Sequence, residues 1–431
     1  MKSRKKFAAS VLAIVAICGF SVAGGAEQIV LLKVSAPNVD CVDVPVHAVI
    51  ELSKQQLASV LTGEVSFELR QLSNMWNNVS TPGQIVMNGK GQAELWWILP
   101  RAKANGTSTW SVGMVDRRQL EARLSPVKAF SWRDEKGDYL DLLFNGRKVT
   151  RYIYDYDNSS KERILETYKT FHHVFDAEGK KLLTNGPDGL GPYLSNQILY
   201  PHHRGIFIGW NRLEFGGQRY DFWHMGEQGR VQKHQKFLEL TAGPVLARSN
   251  SLVHWNNRNG ETIIAEQRET TVFLQSDQTI LLLDFHTKLK AVRGDVFLNG
   301  DPEHAGFQYR AHDDVAKGGK EVKATYLFHK DDIDPKKDHN LPWAAMSYGL
   351  NDRRYSVQYI NHPGNPEPTI YSAYRDYGRF GAFFKKEIGA GQTLTLRYRI
   401  WVGSGEMPER QELADRYSVF INGPKVEVLR R

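Results

Sequence analysis

The sequence contains very little cysteine and no long apolar run beyond its first residues. Among 431 residues there are two cysteines, Cys18 and Cys41, which excludes the dense disulfide framework of small secreted domains. After residue 26, no segment reaches the roughly 20 apolar residues that a membrane-spanning helix needs. No low-complexity segment indicates disorder. Since 41% of the residues are hydrophobic, a packed core must hold the chain together, and the length suggests about two to three domains.

The first 26 residues have the pattern of a secretory signal peptide. The run "MKSRKKFAASVLAIVAICGFSVAGGAEQ" has a basic start, an apolar stretch over residues 7–22 and small residues before Glu27. An uncleaved membrane anchor is the alternative, but the apolar stretch is short for one. We therefore predict cleavage after Ala23 or Ala26 and a periplasmic or secreted protein. Cleavage leaves Cys41 as the remaining cysteine, so no internal disulfide is expected.

The charge of the chain is too mild to indicate a nucleic-acid partner. The formal charge of +8 falls to +4 when Lys2, Arg4, Lys5 and Lys6 leave with the signal peptide, and no basic stripe alternates with aromatic residues. A Gly-rich phosphate loop, a zinc-binding cysteine pair and a Gly-x-Ser-x-Gly elbow are also missing. The expected partner is a small molecule or a polysaccharide. The cofactor and the oligomeric state stay open.

Short segments rich in β-branched and aromatic residues predict strands almost throughout. Residues 27–125 are predicted to form a small, Ig-like β-sandwich, with a boundary near Pro126. Residues 126–431 carry longer alternating strands, such as "TILLLDFHTKLKAV", whose two faces differ in polarity. This pattern predicts a large antiparallel two-sheet β-supersandwich, so the whole chain is expected to be mostly β. The only helix predicted is "MPERQELADRYSVF", with Pro408 in its first turn.

The run "LYPHHRGIFIGW", residues 199–210, is the strongest candidate for a catalytic loop. His202, His203 and Arg204 lie between a proline and a glycine, directly before a strand, and catalytic groups favour such loops. "DFWH" follows and contributes His224. Imidazoles transfer protons near neutral pH, and arginine binds carboxylates. A hydrogen-bonded polar turn is the alternative. Because adjacent side chains on an extended loop point apart, the two histidines are not expected to chelate a metal ion together.

Two later stretches supply further polar side chains. In "EHAGFQYRAHDD", a strand would place one stripe of polar residues opposite Phe307 and Tyr309, as a groove floor or as a solvated face. The members of the stripe are His304, Gly306, Gln308, Arg310 and His312. The proline-rich loop "INHPGNPEPTIYSAYRDYGRFG" is predicted to be rigid. It carries His362, Asn365, Tyr371, Arg375, Asp376 and Tyr377.

Over roughly residues 130–420 the chain resembles the bacterial PmoA-type family, often labelled "methane oxygenase PmoA". The resemblance rests on "YPHHRGIFIGW" with "YDFWH", and on "VQYINHPGNPEP" with "YRDYGRFGAFF", in the same order. The chain departs from the family in having Glu166 and Thr167 before Tyr168 in place of Arg-Pro, and Tyr371 with Ser372 in place of a Trp-His pair. The resemblance implies a fold similar to the galactose-mutarotase-like β-supersandwich, which commonly binds or processes carbohydrates.

These observations predict an exported carbohydrate-active protein, with proton transfer by histidine and arginine clamping of a sugar or uronate. The reaction would be of the lyase, epimerase or hydrolase type. The predicted catalytic residues are His203, His202, Arg204, His224, His362 and Tyr377. The predicted substrate-binding residues are Gln308, Arg310, Trp223, Asn365 and Arg375, and no metal ligand is predicted.

Three alternatives stay open at this stage. The first is a non-catalytic carbohydrate-binding protein, in which Trp210, Trp223, Trp255 and Trp343 would stack on sugar rings. The second is a metal-dependent oxidase or hydrolase, as the family label suggests. The third is a structural role supported by the N-terminal sandwich.

Overall fold

The computed structural model of the protein describes residues 27–72, 79–118, 128–191, 195–225, 229–274 and 279–429. The predicted signal peptide, residues 1–26, and the predicted boundary at Pro126 lie outside these described residues. Within the described ranges, no helix has the length and apolar character needed to cross a membrane.

Seven antiparallel strands form the first sheet. In chain order they are β1 (Glu27–Ser35), β2 (Cys41–Ile50), β3 (Val65–Gln71), β4 (Ser80–Met87), β5 (Ala93–Ala102), β6 (Thr107–Asp116) and β27 (Lys425–Leu429). The spatial order is β2-β5-β4-β3-β6-β1-β27, and the edge strands β2 and β27 approach each other. The sheet therefore curls around its own core of alternating apolar residues. Cys41 is buried there, and burial raises the pKa of its thiol to about 11, which makes it an inert packing residue.

The last strand of the chain belongs to this first sheet, which corrects the predicted division at residues 125 and 126. β27 pairs with β1 in antiparallel register, with Leu31 opposite Leu429 and Val34 opposite Val426. The pairing covers an edge of β1 that would otherwise present unpaired backbone groups. A local sequence pattern cannot reveal such a long-range partner, so the predicted unit of residues 126–431 wrongly included this strand.

Two eight-stranded antiparallel sheets make up most of the remaining chain. The strands of the site sheet are β7 (Phe130–Glu135), β8 (Tyr139–Phe144), β9 (Arg147–Ile153), β10 (Phe171–Val174), β11 (Ile206–Trp210), β19 (Ala305–Arg310), β23 (Ile370–Tyr371) and β24 (Arg379–Phe383). The strands of the back sheet are β14 (Val231–Ala242), β15 (Leu246–Asn256), β16 (Thr262–Phe273), β17 (Thr279–Ala291), β20 (Thr325–Phe328), β21 (Trp343–Leu350), β22 (Arg353–Asn361) and β26 (Thr393–Ser404). The spatial order is β23-β24-β19-β11-β10-β9-β8-β7 in the site sheet and β14-β15-β16-β17-β26-β22-β21-β20 in the back sheet. A small sheet adds β12 (Leu213–Phe215), β13 (Gln218–Tyr220), β18 (Val296–Leu298) and β25 (Lys386–Ile388).

The two large sheets pack face to face around one apolar core. Phe307 of the site sheet lies 4.4 Å from Phe285 and 4.6 Å from Tyr398 of the back sheet, measured between ring centroids. Along β17, Leu283 and Leu289 join the core, as the alternation in sequence predicted. The prediction of a mostly β chain with a large antiparallel two-sheet sandwich is confirmed.

Four α-helices lie entirely within the described ranges, three more than the sequence pattern predicted. They are α1 (Lys54–Leu61), α2 (Lys161–Thr167), α3 (Asp313–Lys317) and α4 (Arg410–Ile421). The predicted helix α4 begins after an N-cap at Glu409, so Pro408 precedes the cap and does not lie in the first turn. The other three span at most two turns and are too short to show a clear apolar period.

Helix α4 joins the first sheet to the sandwich. Leu413 is buried against Trp343 and Ile360 of the back sheet. Val419 packs against the core of the first sheet, and the guanidinium of Arg416 lies 3.7 Å above the ring of Trp401. The helix therefore fixes the first sheet against the back sheet, on the side of the sandwich remote from the site sheet.

Candidate functional site

Four histidines from three separate loops meet on the outer face of the site sheet. His202 and His203 precede β11, His224 follows β13, and His304 precedes β19. Their ring centroids are 4.2 Å apart for His202 and His203, 4.5 Å for His202 and His224, and 4.8 Å for His224 and His304. His203 stacks on His304 at 5.4 Å. We call these four residues the histidine cluster.

Glycines on the outer face allow the loops to lie directly on the sheet. Gly209 of β11 is opposite Gly306 of β19, and neighbouring residues of these strands point into the sandwich core. A Cβ atom at Gly209 would lie 2.3 Å from the carbonyl oxygen of Phe222. The segment that leads to His224 therefore rests against the backbone of β11, where no larger residue would fit.

Two separate turns with the same Asp-x-x-His sequence pattern orient His224 and His304. In Asp221-Phe-Trp-His224, the Asp221 carboxylate accepts a 2.8 Å hydrogen bond from Nδ1 of His224 and two more from backbone N–H groups. In Asp301-Pro-Glu-His304, the carboxylate accepts a 2.9 Å hydrogen bond from Nδ1 of His304. When such a ring is neutral and its Nδ1 proton is donated to the carboxylate, Nε2 is the nitrogen with a free lone pair.

The two aspartates are held in the charged form. Burial alone would raise the pKa of Asp301, but hydrogen bonds from His304 and Asn211 hold it well below its usual range. Burial likewise opposes the charge on Asp221, and the hydrogen bond from His224 leads the effects that lower its pKa. Both carboxylates therefore remain available to orient their histidines near neutral pH.

His202 and His203 are neutral imidazoles. Burial, followed by the charge of His224, lowers the pKa of His202 to about 2. Burial, followed by the charge of Arg379, holds the pKa of His203 well below its usual range. Nε2 of His202 and Nδ1 of His203 are buried and have no hydrogen-bond partner among the described residues. A buried ring nitrogen without a hydrogen-bond partner calls for an explanation, and a catalytic role or a bound ion is one.

Lys169 lies beneath the cluster and connects two of its loops by hydrogen bonds. Its ammonium group donates a 2.9 Å hydrogen bond to the carbonyl oxygen of His202 and another to that of Trp223. It also lies 4.0 Å above the ring of Phe207. Burial lowers the pKa of Lys169 well below its ordinary value. This lysine therefore fixes the spacing of the backbones that carry His202 and His224.

Tyrosine and arginine side chains form a second wall beside the histidines. Tyr200 stacks on Tyr377 at 4.6 Å and is 46% exposed. Its φ of 56° lies in the left-handed region, which is uncommon for a non-glycine residue and is found preferentially at functional sites. Behind them, the buried Arg379 donates hydrogen bonds to the Tyr377 hydroxyl at 3.1 Å and to the Ser372 hydroxyl at 2.9 Å. Its third nitrogen lies 3.8 Å from the carboxylate of Glu303.

The predicted substrate-binding residues Gln308 and Arg310 lie beneath this wall. Both are fully buried. The Gln308 side chain donates to the carbonyl oxygen of Ala305 at 2.9 Å and accepts from Arg379 at 3.3 Å. Arg310 donates to the carbonyl oxygens of Ala311 and Tyr377. They support the wall from inside, and the loops that cover them make the expected groove floor an inner layer of the protein.

Three residues predicted to take part in the site lie elsewhere. Arg204, predicted as a clamp, donates to the carbonyl oxygens of Pro201, Glu166 and Leu165 and fixes its loop to α2. His362 accepts a hydrogen bond from the backbone of Gly364 and contacts the ring of Phe420 on α4. Asn365 bonds to the backbone of Arg397 in the back sheet. The proline-rich loop therefore reaches the histidine cluster only with its second half.

The second half of that loop contributes Tyr377 to the wall and Arg375 to its rim. Arg375 is half exposed and forms a 2.6 Å ion pair with Glu303, the neighbour of His304. Trp223, predicted to bind substrate, is fully buried under His203, 5.6 Å away. Its indole supports the histidine ring and is not available to stack on a ligand.

A cavity of about 600 Å³ lies between β2, the back sheet and α4. It is lined by residues such as Asp43, Gln358 and Trp401 and contains none of the predicted site residues. The histidine cluster lies on the other large sheet, away from this cavity.

Comparison with known proteins places this site within a recognised sequence family. Residues 139–418 match the profile described as "Family of unknown function (DUF6807)". The chain belongs to the DUF6807 family. The matched segment contains all members of the histidine cluster and of the tyrosine–arginine wall.

Two other comparisons add little to the DUF6807 assignment. Among curated proteins there is no match to the chain. A solved structure titled "Crystal Structure of Heparinase III" aligns with a TM-score of 0.28 and 11% sequence identity, covering 63% of this chain and 36% of that chain. The chain thus spans about a third of the length of that structure, at a score too low to indicate a shared fold.

Sequence reasoning on this DUF6807 chain missed several site residues. They are His304 as a member of the cluster, Asp301 as its partner, Lys169 and Arg379. The repeated Asp-x-x-His pattern, at residues 221–224 and 301–304, was the available signal. The expectation that His202 and His203 point apart was wrong because the loop turns, with the His203 amide bonded to the carbonyl oxygen of Tyr200 at 3.0 Å.

Proposed function

We propose that the protein is an exported enzyme that acts on a carbohydrate, a sugar or uronate, at the histidine cluster. The observation that carries the proposal is the convergence of two carboxylate-oriented imidazoles, His224 and His304, beside the stacked pair of the exposed Tyr200 and the buried Tyr377. Imidazoles oriented in this way can transfer protons to and from substrate oxygen atoms. The predicted signal peptide and the PmoA-type resemblance, with its galactose-mutarotase-like fold, support the choice of an extracytoplasmic carbohydrate.

Each wall of the site has a chemical role in this proposal. The side chain of His224 is 41% exposed, so it can reach a bound ligand, while Asp221 fixes its orientation. The exposed ring of Tyr200 offers a flat apolar face, which suits stacking on a sugar ring. Arg379 places a permanent positive charge behind Tyr377, where it would stabilise negative charge that develops on the substrate.

The tryptophans predicted to stack on sugar rings in a non-catalytic carbohydrate-binding protein are not accessible to a ligand. Trp210, Trp223, Trp255 and Trp343 are all buried, so they cannot form a sugar-binding platform. The buried positions remove the main support for the non-catalytic alternative and leave Tyr200 as the exposed aromatic residue beside the cluster.

Turnover of a panel of polysaccharides tests the proposal. The panel would include neutral and uronate-containing polymers, and products would be detected as new reducing ends or as unsaturated uronate. We expect the wild-type protein to act on at least one polymer and His224→Ala to lose that activity. His286→Ala is the matched control, since His286 is 43% exposed and also lies beside a carboxylate, 3.8 Å from Glu269 on the back sheet.

Two results would contradict the proposal. If His224→Ala retains its fold by circular dichroism and turns over the substrate at the wild-type rate, the histidine cluster is not the catalytic centre. If the wild-type protein binds polysaccharides from the panel but converts none of them, the non-catalytic alternative replaces the enzyme.

A further inference from the structure

We propose that His202, His224 and His304 bind a divalent transition-metal ion, with zinc among the ions that suit the site. Each residue offers one ligand atom, and these atoms all lie within 4.8 Å of one another. Three imidazole nitrogens at about 2.0–2.1 Å from one zinc ion would be about 3.4 Å apart. Small rotations of the side chains are therefore enough to bring the three nitrogens to one ion.

The two Asp-x-x-His turns prepare His224 and His304 for this role. Histidines that ligate metals usually donate their other ring N–H to a carboxylate, which fixes the tautomer and strengthens the ligand. Here Asp221 and Asp301 accept from the Nδ1 atoms at 2.8 and 2.9 Å. The same arrangement occurs twice, on two loops that are separate in sequence, and both leave Nε2 as the ligand atom.

His202 supplies the third ligand. Its Nε2 is buried and lacks a hydrogen-bond partner among the described residues, and a metal ion would satisfy this atom. The ammonium group of Lys169 holds the backbones of His202 and Trp223 at a fixed spacing, so the loop that carries this ligand is anchored to the loop that carries His224.

The donor set is compatible with zinc among other ions, and the number of ligands predicts an open position. The three ligands are imidazoles, with no thiolate among them, and imidazole donors suit zinc, copper, iron and nickel. A site with three protein ligands keeps a fourth position for water or substrate, as catalytic zinc sites do. The carboxylates of Asp221 and Asp301 supply the negative charge that offsets the charge of the ion.

With zinc bound, His224 and His304 would act as ligands and no longer exchange protons with the substrate, and the ion would polarise a substrate oxygen or activate a water molecule in their place. The inference thereby names a cofactor for the catalytic centre, and in that respect it rests on the proposed function. Metal binding itself is measured without a carbohydrate, so the two ideas can fail separately.

Titration of the chelator-treated protein with zinc and cobalt chlorides tests the site. We expect one ion per chain by calorimetry, and for cobalt a visible absorption band from the bound ion. His304→Ala and His224→Ala should abolish stoichiometric binding, and His286→Ala should leave it unchanged. Asp221→Asn and Asp301→Asn retain all three ligands and should weaken binding by about 10- to 100-fold. Circular dichroism would confirm that each variant is folded.

The inference is overturned if the wild-type protein binds neither ion stoichiometrically, or if folded His304→Ala binds zinc with wild-type affinity. One ion per chain without turnover of any polysaccharide contradicts the proposed function alone. Turnover that persists in chelator-treated protein, with no stoichiometric binding, contradicts the metal site alone.

Discussion

Lowering the pH from 7 to 5 should destabilise the sandwich through His173, a buried histidine of β10 outside the histidine cluster. Nε2 of His173 donates to the carbonyl oxygen of Pro187 at 2.9 Å, and Nδ1 lies 2.9 Å from the hydroxyl of Thr184. That hydroxyl oxygen already accepts from the amide of Val174, so its proton is available to Nδ1. The surroundings therefore suit a neutral imidazole, and burial lowers its pKa to about 4.

The size of the effect follows from the two protonation states. With a pKa of about 4 in the folded chain and 6.5 in the unfolded chain, the unfolded state binds more protons throughout this window. The contribution of His173 to the free energy of unfolding is therefore fully present above pH 6.5 and is lost as the pH falls toward 4. The loss from His173 is about 2 kcal/mol between pH 7 and pH 5, and about 3 kcal/mol well below pH 4.

Urea unfolding at the two pH values, followed by tryptophan fluorescence, measures this difference. His173→Gln keeps a donor for Pro187 and cannot be protonated, so its loss of stability on acidification should be smaller than that of the wild type by about 2 kcal/mol. His339→Gln makes the same change at an exposed position and should retain the wild-type pH dependence. An equal pH dependence in His173→Gln and the wild type would refute the reasoning, whatever the absolute stability of the variant.

Three further predictions concern the core, the sheet and the site. Glu266→Gln should lower the free energy of unfolding by about 3–5 kcal/mol in urea, because it leaves the buried Arg268, 2.9 Å away, without its counter-charge. Gly306→Ala should prevent folding or lower the free energy of unfolding several times more than Gly391→Ala does. Both glycines have positive φ. A Cβ atom at Gly306 would lie 2.1 Å from a carbonyl oxygen, whereas one at Gly391 meets open space. Gly391→Ala should cost about 1 kcal/mol in thermal or urea unfolding. Tyr200→Ala should cost about 0.5–1.5 kcal/mol of stability, because it removes the stacking on Tyr377. It should also raise KM for a panel polysaccharide with little change in kcat, whereas an unchanged KM would remove Tyr200 from the binding surface.

The sheets could be predicted from the sequence because their signal is local. The alternation of Leu283, Phe285 and Leu289 with polar residues is set by the period of a strand, and the same alternation separates Gln308 from Phe307. Such patterns show which face of a strand is buried. They do not show which strand lies beside which, so the pairing of β1 with β27 could not be predicted.

The histidine cluster was partly predictable for the same reason. His202, His203 and His224 lie close together in sequence and were identified as one group. His304 joins them because β19 pairs with β11 and brings the Asp301 turn beside the loop of His202, which depends on non-local register. The proline-rich loop after β22 was predicted to join the site as one unit because its composition is uniform. Its first half packs beside α4 and the back sheet, and its second half packs beside the histidine cluster.

The closure of the first sheet by β27 has a consequence for the order of events during synthesis. A nascent chain emerges N-terminal end first, so β1 and β6 are available long before residues 425–429 exist. Until then, the free edge of β1 is a template on which another chain could add a strand. The first sheet to be synthesised is therefore the last to be completed, and its completion requires the whole sandwich to have been made.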